Sequence, residues 1–163
     1  MVPGMALSTG DTIPDLEVTT MGPEGPTKVR TTDLLGTGKV VLFAVPGAFT
    51  PGCSKTHLPG FVERGSELKD KGVDTLACIA VNDVFVMDAW GREHGVGDDI
   101  VMLADGSAEF TEAMGLTRDM TGFGMGKRSQ RYAAVIEDGV ITQLEIDEGA
   151  IDKSTCSNIL SLL

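Results

Sequence analysis

The sequence has no hydrophobic run long enough to cross a membrane. Its longest apolar stretches, such as residues 40–46, fall far below the ~20 residues that a membrane span requires.

Basic residues are also scarce, since 13 Lys and Arg stand against 24 Asp and Glu and give a net charge of −11. This negative charge repels phosphate backbones. We therefore expect neither a membrane protein nor a partner of nucleic acid.

Cysteine is scarce and odd in number. The three Cys exclude the fully paired disulfide framework of a secreted protein. No Cys-x-x-Cys motif occurs, because position 56 is Thr, and this disfavours dithiol exchange of the thioredoxin type.

Segment 1–7 has neither the basic region nor the long apolar stretch of a signal peptide. We expect a cytoplasmic location, or an organelle after removal of a presequence, where thiols stay reduced.

No internal repeat, low-complexity tract or linker divides the chain. A length of 163 residues fits one domain, spanning residues 1–163, with enough apolar material for a core that needs no disulfide or metal.

The order of apolar runs predicts an α/β fold. Residues 39–45, 73–81 and 100–104 read as strands, and the first two have the continuous apolar character of strands buried on both faces. Amphipathic or capped segments after them predict helices, among them one capped by Asn82-Asp83 that carries Phe85 and Trp90, both expected in the core. Asp138-Gly139 predicts a hairpin turn between residues 131–136 and 140–146. With a closing helix near 154–163, this order indicates a thioredoxin-like three-layer sandwich, a mixed central sheet with helices on both faces.

The loop after the first predicted strand, residues 46–53, has the composition of a ligand-binding loop. It follows the carboxyl end of a strand, where open α/β sheets bind ligands, and two Pro and two Gly favour one tight shape. Cys53 then falls in the first turn of a helix, where unpaired N–H groups stabilise an anion. The thiolate is the nucleophilic form, so this position predicts a reactive cysteine, with the Thr50 hydroxyl beside it. The alternative is that Cys53 is a small buried apolar residue.

Several separated motifs resemble those of the peroxiredoxins. Pro46-x-x-x-Thr50-x-x-Cys53 matches the active-site pattern of that family, and the longer string from Pro46, Pro-Gly-Ala-Phe-Thr-Pro-Gly-Cys-Ser-Lys-Thr-His-Leu-Pro-Gly-Phe, resembles its type V branch. Residues 81–90 resemble the plant type II relatives, and residues 128–132 resemble the segment that holds the active-site arginine. The similarity extends over nearly the whole chain.

The resemblance implies a role for each of five residues. Cys53 is the peroxidatic cysteine, Thr50 and Pro46 are its pocket partners, and Arg131 supplies a charge that cannot be deprotonated. The backbone N–H groups of Gly52 and Cys53 stabilise charge on the leaving oxygen, and Pro46 limits the access of water. Without the family resemblance, the sequence would favour a different interpretation of Arg131, as a surface charge at the edge of a strand.

Two further cysteines are candidates for the resolving thiol. Cys78 lies 25 residues after Cys53, as in plant type II members, and Cys156 lies where animal type V members carry theirs. An external thiol is the third candidate. His57, four residues after Cys53, is expected to be a helix-face residue, because no set of His and Cys has the spacing of a metal site.

The resemblance thus implies a cysteine-dependent peroxidase without cofactor or metal. Its substrates are hydrogen peroxide and small organic hydroperoxides, and its reductant is thioredoxin, glutaredoxin or glutathione. A homodimer is expected to cover the apolar loop around Phe49. Two alternatives differ in their chemistry: a thiol–disulfide oxidoreductase does not consume peroxide, and a redox sensor or holdase oxidises only stoichiometrically.

Overall fold

A computed structural model describes residues 6–163, so that most of segment 1–7, where no signal peptide is expected, lies outside the described residues. Seven of the described strands form one sheet in the order β2-β1-β5-β4-β3-β8-β9, and two short strands, β6 and β7, pair separately. Their bounds are β1 Glu17–Gly22, β2 Gly25–Arg30, β3 Lys39–Val45, β4 Thr75–Ala80, β5 Val101–Ala104, β6 Thr117–Asp119, β7 Lys127–Ser129, β8 Arg131–Glu137 and β9 Val140–Asp147.

Helices cover both faces of the seven-stranded sheet. The described α-helices are α1 Thr31–Leu35, α2 Leu58–Asp70, α3 Val84–Glu93, α4 Glu109–Met114 and α5 Cys156–Leu162. One apolar cluster joins α2, α3 and α5 to one face, and a second joins α1 and α4 to the other. Within residues 6–163, none of the helices combines the length and apolar character that crossing a bilayer requires.

Strand β3 lies at the centre of this arrangement. It runs parallel to β4 and antiparallel to β8, while β4 runs parallel to β5. Val41, Phe43 and Val45 face one apolar cluster, whereas Val40 and Leu42 face the other. Successive side chains of a strand point to opposite faces, so burial on both sides requires the continuous apolar run seen in the sequence. The predicted mixed sheet with helices on both faces is confirmed.

Local signals predicted the ends of several elements correctly. Asp83 accepts a hydrogen bond from the amide of Val86 at 2.9 Å and so caps α3. The turn between β8 and β9 has positive φ at Asp138 (48°) and Gly139 (82°), as the expected hairpin turn requires.

Other elements differ from the sequence prediction. The hairpin of β1 and β2, the short helix α1 and the pair β6–β7 were not predicted, because these strands are short or largely exposed and lack a periodic apolar pattern. Phe85 was expected in the core with Trp90, but it is 65% exposed, whereas Trp90 is fully buried. Phe85 lies on the outer face of α3, and only the tertiary structure distinguishes the two positions.

Candidate active site

The loop between β3 and the next helix is held by one hydrogen bond within the loop and one to a neighbouring segment. Thr50 Oγ1 donates to the Gly47 carbonyl at 2.6 Å, and the amide of Ala48 donates to Asn82 Oδ1 at 3.0 Å. Phe49 has a φ of 64°, a left-handed conformation that is rare for a bulky residue, and about half of its side chain is exposed. The loop therefore has a defined shape that projects Phe49 away from the core.

Cys53 is fully buried in the first turn of the helix that begins at Pro51. Residues Cys53–His57 are π-helical, a local widening that occurs frequently at functional sites. The amide of Ser54 donates to the Thr50 carbonyl at 2.9 Å, and Trp90 Nε1 donates to Ser54 Oγ at 3.0 Å. These two bonds fix the turn that carries the sulfur.

Arg131 reaches the sulfur from the neighbouring strand. It is the first residue of β8, which runs antiparallel to β3 with Tyr132 opposite Ala44. The start of β8 therefore lies beside the end of β3, where the loop begins. Arg131 Nη2 donates to Cys53 Sγ at 3.3 Å. The guanidinium thus places a permanent positive charge beside the sulfur.

The sequence analysis gave His57 no part in the active site, but the structure places it there. It lies in the π-helical turn that begins at Cys53 but is only 1% exposed, with its ring packed beside the stacked rings of Phe43 and Phe61. Its Nδ1 lies 2.9 Å from Arg131 Nη1, and its Nε2 lies 2.9 Å from the Ser154 carbonyl. The sequence held one signal, since a residue four positions after Cys53 lies on the same side of a helix.

Burial makes His57 a neutral residue at physiological pH. Desolvation lowers its pKa from 6.5 to about 4; the hydrogen bond to the Ser154 carbonyl opposes this shift, and the nearby Arg131 charge adds to it. Both ring nitrogens are used in hydrogen bonds, so neither is free to bind a metal. Among the described residues, no group of three or more His, Cys, Asp or Glu side chains is arranged to hold a metal ion.

The space beside the sulfur depends on Gly52. A Cβ atom at this position would lie 2.9 Å from Ile151 Cδ1 and 3.4 Å from Arg131 Nη2. Ile151 belongs to the segment between β9 and α5, so that segment forms one wall of the site. Pro46 is buried at the end of β3, where the loop starts. Any side chain larger than hydrogen at residue 52 would occupy the space next to the guanidinium.

Arg128, the other arginine of the predicted segment, has a different environment. Its Nε donates to the Met125 carbonyl at 2.9 Å, and its Nη1 lies 3.2 Å from where a Cβ on Gly47 would stand. Its guanidinium therefore contacts the loop, whereas the hydrogen bond to the sulfur comes from Arg131.

The other two cysteines are buried and reduced, and both belong to the apolar cluster that contains Cys53. Cys78 lies on β4 opposite Phe43, and burial raises the pKa of its thiol well above the ordinary value. Cys156 is the first residue of α5, which Thr155 caps, and burial raises the pKa of its thiol to about 11. Neither is a ready thiolate in this conformation.

Comparison with known proteins agrees with this geometry. The Redoxin family model matches residues 8–160. Peroxiredoxin-2E, chloroplastic, of Arabidopsis thaliana is 44% identical over 97% of this chain and 70% of its own length. The chain is a peroxiredoxin of the Redoxin family. Peroxiredoxin-2B of the same plant is 40% identical over 96% of this chain and 98% of its own.

Solved structures of peroxiredoxins share the fold. Reduced Prx3 of Vibrio vulnificus, crystallised with H2O2, superimposes with a TM-score of 0.92 at 45% identity, covering 96% of this chain and 98% of that one. The thioredoxin-like fold is therefore confirmed. Peroxiredoxins are thiol peroxidases, and this chain is accordingly a cysteine-dependent peroxidase that takes a peroxide and a thiol reductant.

Proposed function

We propose that Cys53 is the peroxidatic cysteine and Arg131 its catalytic cation. The observation that carries this proposal is the 3.3 Å hydrogen bond from Arg131 Nη2 to Sγ of Cys53, which is buried in the first turn of a helix. The thiolate attacks one peroxide oxygen, an S–O bond forms and the O–O bond breaks. The sulfur is oxidised to sulfenic acid, and the other oxygen leaves with the electron pair and takes a proton to become water or an alcohol.

The surrounding residues act on the peroxide in this proposal. The Thr50 hydroxyl donates to the Gly47 carbonyl, so its oxygen is left to accept the O–H of the peroxide. The amides of Gly52 and Cys53, in the first turn of the helix, and the Arg131 guanidinium stabilise charge that develops on the leaving oxygen. Pro46, buried at the end of β3, keeps water from the sulfur.

Hydrogen peroxide and small organic hydroperoxides are the substrates that fit this site. The space beside the sulfur is bounded by Ile151 and by the guanidinium of Arg131. A crystal structure of a similar protein, the Prx3 of Vibrio vulnificus, contains H2O2. A small hydroperoxide requires no more than a pocket for two oxygen atoms and a short substituent.

Three routes return the sulfenic acid to the thiol. Cys78 or Cys156 forms a disulfide with Cys53, or an external thiol reacts with it directly. Because Cys78 lies on a central strand and Cys156 in the first turn of a short terminal helix, either disulfide requires local unfolding, which costs less at a chain end. We propose thioredoxin, glutaredoxin or glutathione as the final reductant, in a reducing compartment such as the cytoplasm or, as the name of one relative states for that protein, a chloroplast.

A homodimer through the loop beside Cys53 is part of the proposal. Phe49, Phe85 and Phe123 are 49%, 65% and 75% exposed. Phe49 belongs to this loop, and the segments of the other two contact it: Asn82, just before α3, accepts from the amide of Ala48, and the methyl group of Met125, two residues after Phe123, approaches Gly47. Exposed apolar patches of this kind mark protein interfaces.

The test is peroxide turnover by single-cysteine variants with each candidate reductant. Cys53→Ser should abolish turnover, whereas Cys78→Ser and Cys156→Ser should retain the first oxidation step, because only Cys53 contacts the guanidinium. Mass spectrometry of the oxidised wild-type protein identifies the disulfide or mixed disulfide that forms. A Cys53→Ser protein that consumes peroxide at the wild-type rate would disprove the assignment.

A further inference from the structure

A continuous series of hydrogen bonds connects the sulfur of Cys53 with the segment that precedes α5. Arg131 Nη2 bonds to the sulfur at 3.3 Å, and Arg131 Nη1 bonds to His57 Nδ1 at 2.9 Å. His57 Nε2 continues to the Ser154 carbonyl at 2.9 Å. The Ser154 amide and hydroxyl both donate to Asp147, at 2.9 and 2.6 Å.

The chemistry of the partners determines where the protons lie. A carbonyl oxygen only accepts, so His57 Nε2 carries the hydrogen that reaches Ser154. A guanidinium only donates, so His57 Nδ1 must be unprotonated and accept the hydrogen bond from Arg131 Nη1. Of the protonation states of the ring, only this neutral tautomer satisfies both bonds. In the doubly protonated ring, an N–H group would face an N–H group of Arg131.

Asp147 holds the far end of the series. Its carboxylate accepts the amides of Asp152, Lys153 and Ser154 at 2.9–3.0 Å, in addition to the Ser154 hydroxyl. These four bonds fix the turn in which the Ser154 carbonyl points at His57. Asp147 lies on β9 directly opposite Arg131 of β8, so one strand pair carries both the guanidinium and the far end of the series.

We infer that His57 is a positioning residue which, through the hydrogen bond to Arg131 Nη1, aims Nη2 at the sulfur of Cys53, and that Asp147 holds the Ser154 carbonyl that orients His57. Arginine has a long side chain with many rotamers, and one bond to the sulfur leaves its planar group free to turn. A second bond at Nη1 fixes the plane. His57 is not itself an acid or base toward peroxide, because both of its nitrogens are already bonded.

This role rests on the proposed function of Cys53 and Arg131, and a double-mutant cycle tests it separately. We would measure the rate of oxidation by hydrogen peroxide in a single turnover, following the fluorescence of the one tryptophan, Trp90, which bonds to Ser54 beside Cys53. His57→Leu should slow oxidation at least about tenfold, the loss of one hydrogen bond to a charged group. His57→Asn places an acceptor oxygen near the position of Nδ1 and should recover most of the rate.

The cycle separates positioning from general damage to the fold. In an Arg131→Met background, His57→Leu should cause no further loss, because its effect passes through the guanidinium. A wild-type rate in His57→Leu, or a further tenfold loss on top of Arg131→Met, would overturn the inference. If instead Cys53→Ser remained active in the same assay, the proposed function itself would be wrong.

A second pair of variants keeps the test valid if His57→Leu does not fold. Asp147→Ala should slow oxidation by several-fold while Asp105→Ala does not. Asp105 is the matched control, because it is also a buried carboxylate that accepts three hydrogen bonds, from Phe110 and Thr111, but it does not bond to Ser154. Equal rates in the two variants, each shown to be folded by circular dichroism, would contradict the role of Asp147.

Discussion

Replacing His57 by Asn should remove a loss of stability that the wild-type protein suffers in mild acid. The buried ring has a pKa of about 4 in the folded state against 6.5 for an ordinary histidine, with desolvation as the main cause. The unfolded chain therefore takes up a proton near pH 6.5, whereas the folded protein does not. Stability from this residue is fully present above the unfolded pKa and is lost as the pH falls toward the folded pKa.

The size of the effect follows from the difference between the two pKa values. Each pH unit in which the unfolded state binds one more proton costs about 1.4 kcal/mol of unfolding free energy. Between about pH 7 and pH 4, the wild-type protein should lose roughly 3 kcal/mol through His57, and about half of that by about pH 5.5. A loss of this size is a large fraction of the total stability of a typical domain.

The assay is urea unfolding at a series of pH values, with reduced protein at one fixed concentration. Trp90 is fully buried and reports the transition. The difference in unfolding free energy between wild type and His57→Asn isolates His57, because all other titrating groups are common to both proteins. His94→Gln is the control: it retains His57 and should therefore retain the acid-dependent loss.

Parallel pH profiles of the wild type and His57→Asn would refute this reasoning. They would mean that the ring takes up a proton in the folded protein as readily as in the unfolded chain. Such a result is incompatible with a buried Nδ1 that accepts a hydrogen bond from Arg131.

Three further predictions address the cation, the interface and one buried hydroxyl. Arg131→Met should slow the oxidation of Cys53 at least about tenfold, equal to ~1.4 kcal/mol of transition-state stabilisation, and Arg128→Met should slow it much less. Equal effects in stopped-flow measurements would mean that the wrong arginine was chosen. Phe49→Asp should weaken the proposed dimer, which light scattering would show as a lower mass. An unchanged mass with lowered activity would instead indicate that Phe49 lines the peroxide pocket. Tyr132→Phe should leave stability in urea unchanged or raise it by up to about 1 kcal/mol, because Tyr132 Oη is buried and finds no hydrogen-bond partner among the described residues. A clear loss of stability would show that this hydroxyl is bonded in solution.

Local patterns predicted the parts of the fold whose physics is local. A strand buried on both faces must be apolar throughout, so β3 was recognised with its observed bounds. The cap at Asp83 and the turn at Asp138-Gly139 depend on backbone groups within a few residues, and both are where they were predicted. The hairpin strands β1 and β2 at one side of the sheet were missed, because partly exposed strands with mixed polar residues have no distinctive period.

The residues of the candidate site likewise fall into those that local sequence indicates and those that depend on distant contacts. The loop chemistry alone indicated Cys53 and Thr50, and the family resemblance added Arg131, 78 residues further along the chain from Cys53. Nothing local indicates that Arg131 meets the sulfur, because that contact exists only through the pairing of β3 with β8.

The sequence by itself thus predicted the class of fold and the candidate nucleophile, Cys53, since both predictions follow from neighbouring residues. Only the tertiary structure decided how Arg131 and His57 are placed around the sulfur of Cys53. His57 faces Ser154 across 97 residues of chain, and its neutral state depends on burial that no local pattern encodes. Contacts of this range are set by strand pairing and helix packing, which bring distant segments together whatever their separation in the sequence.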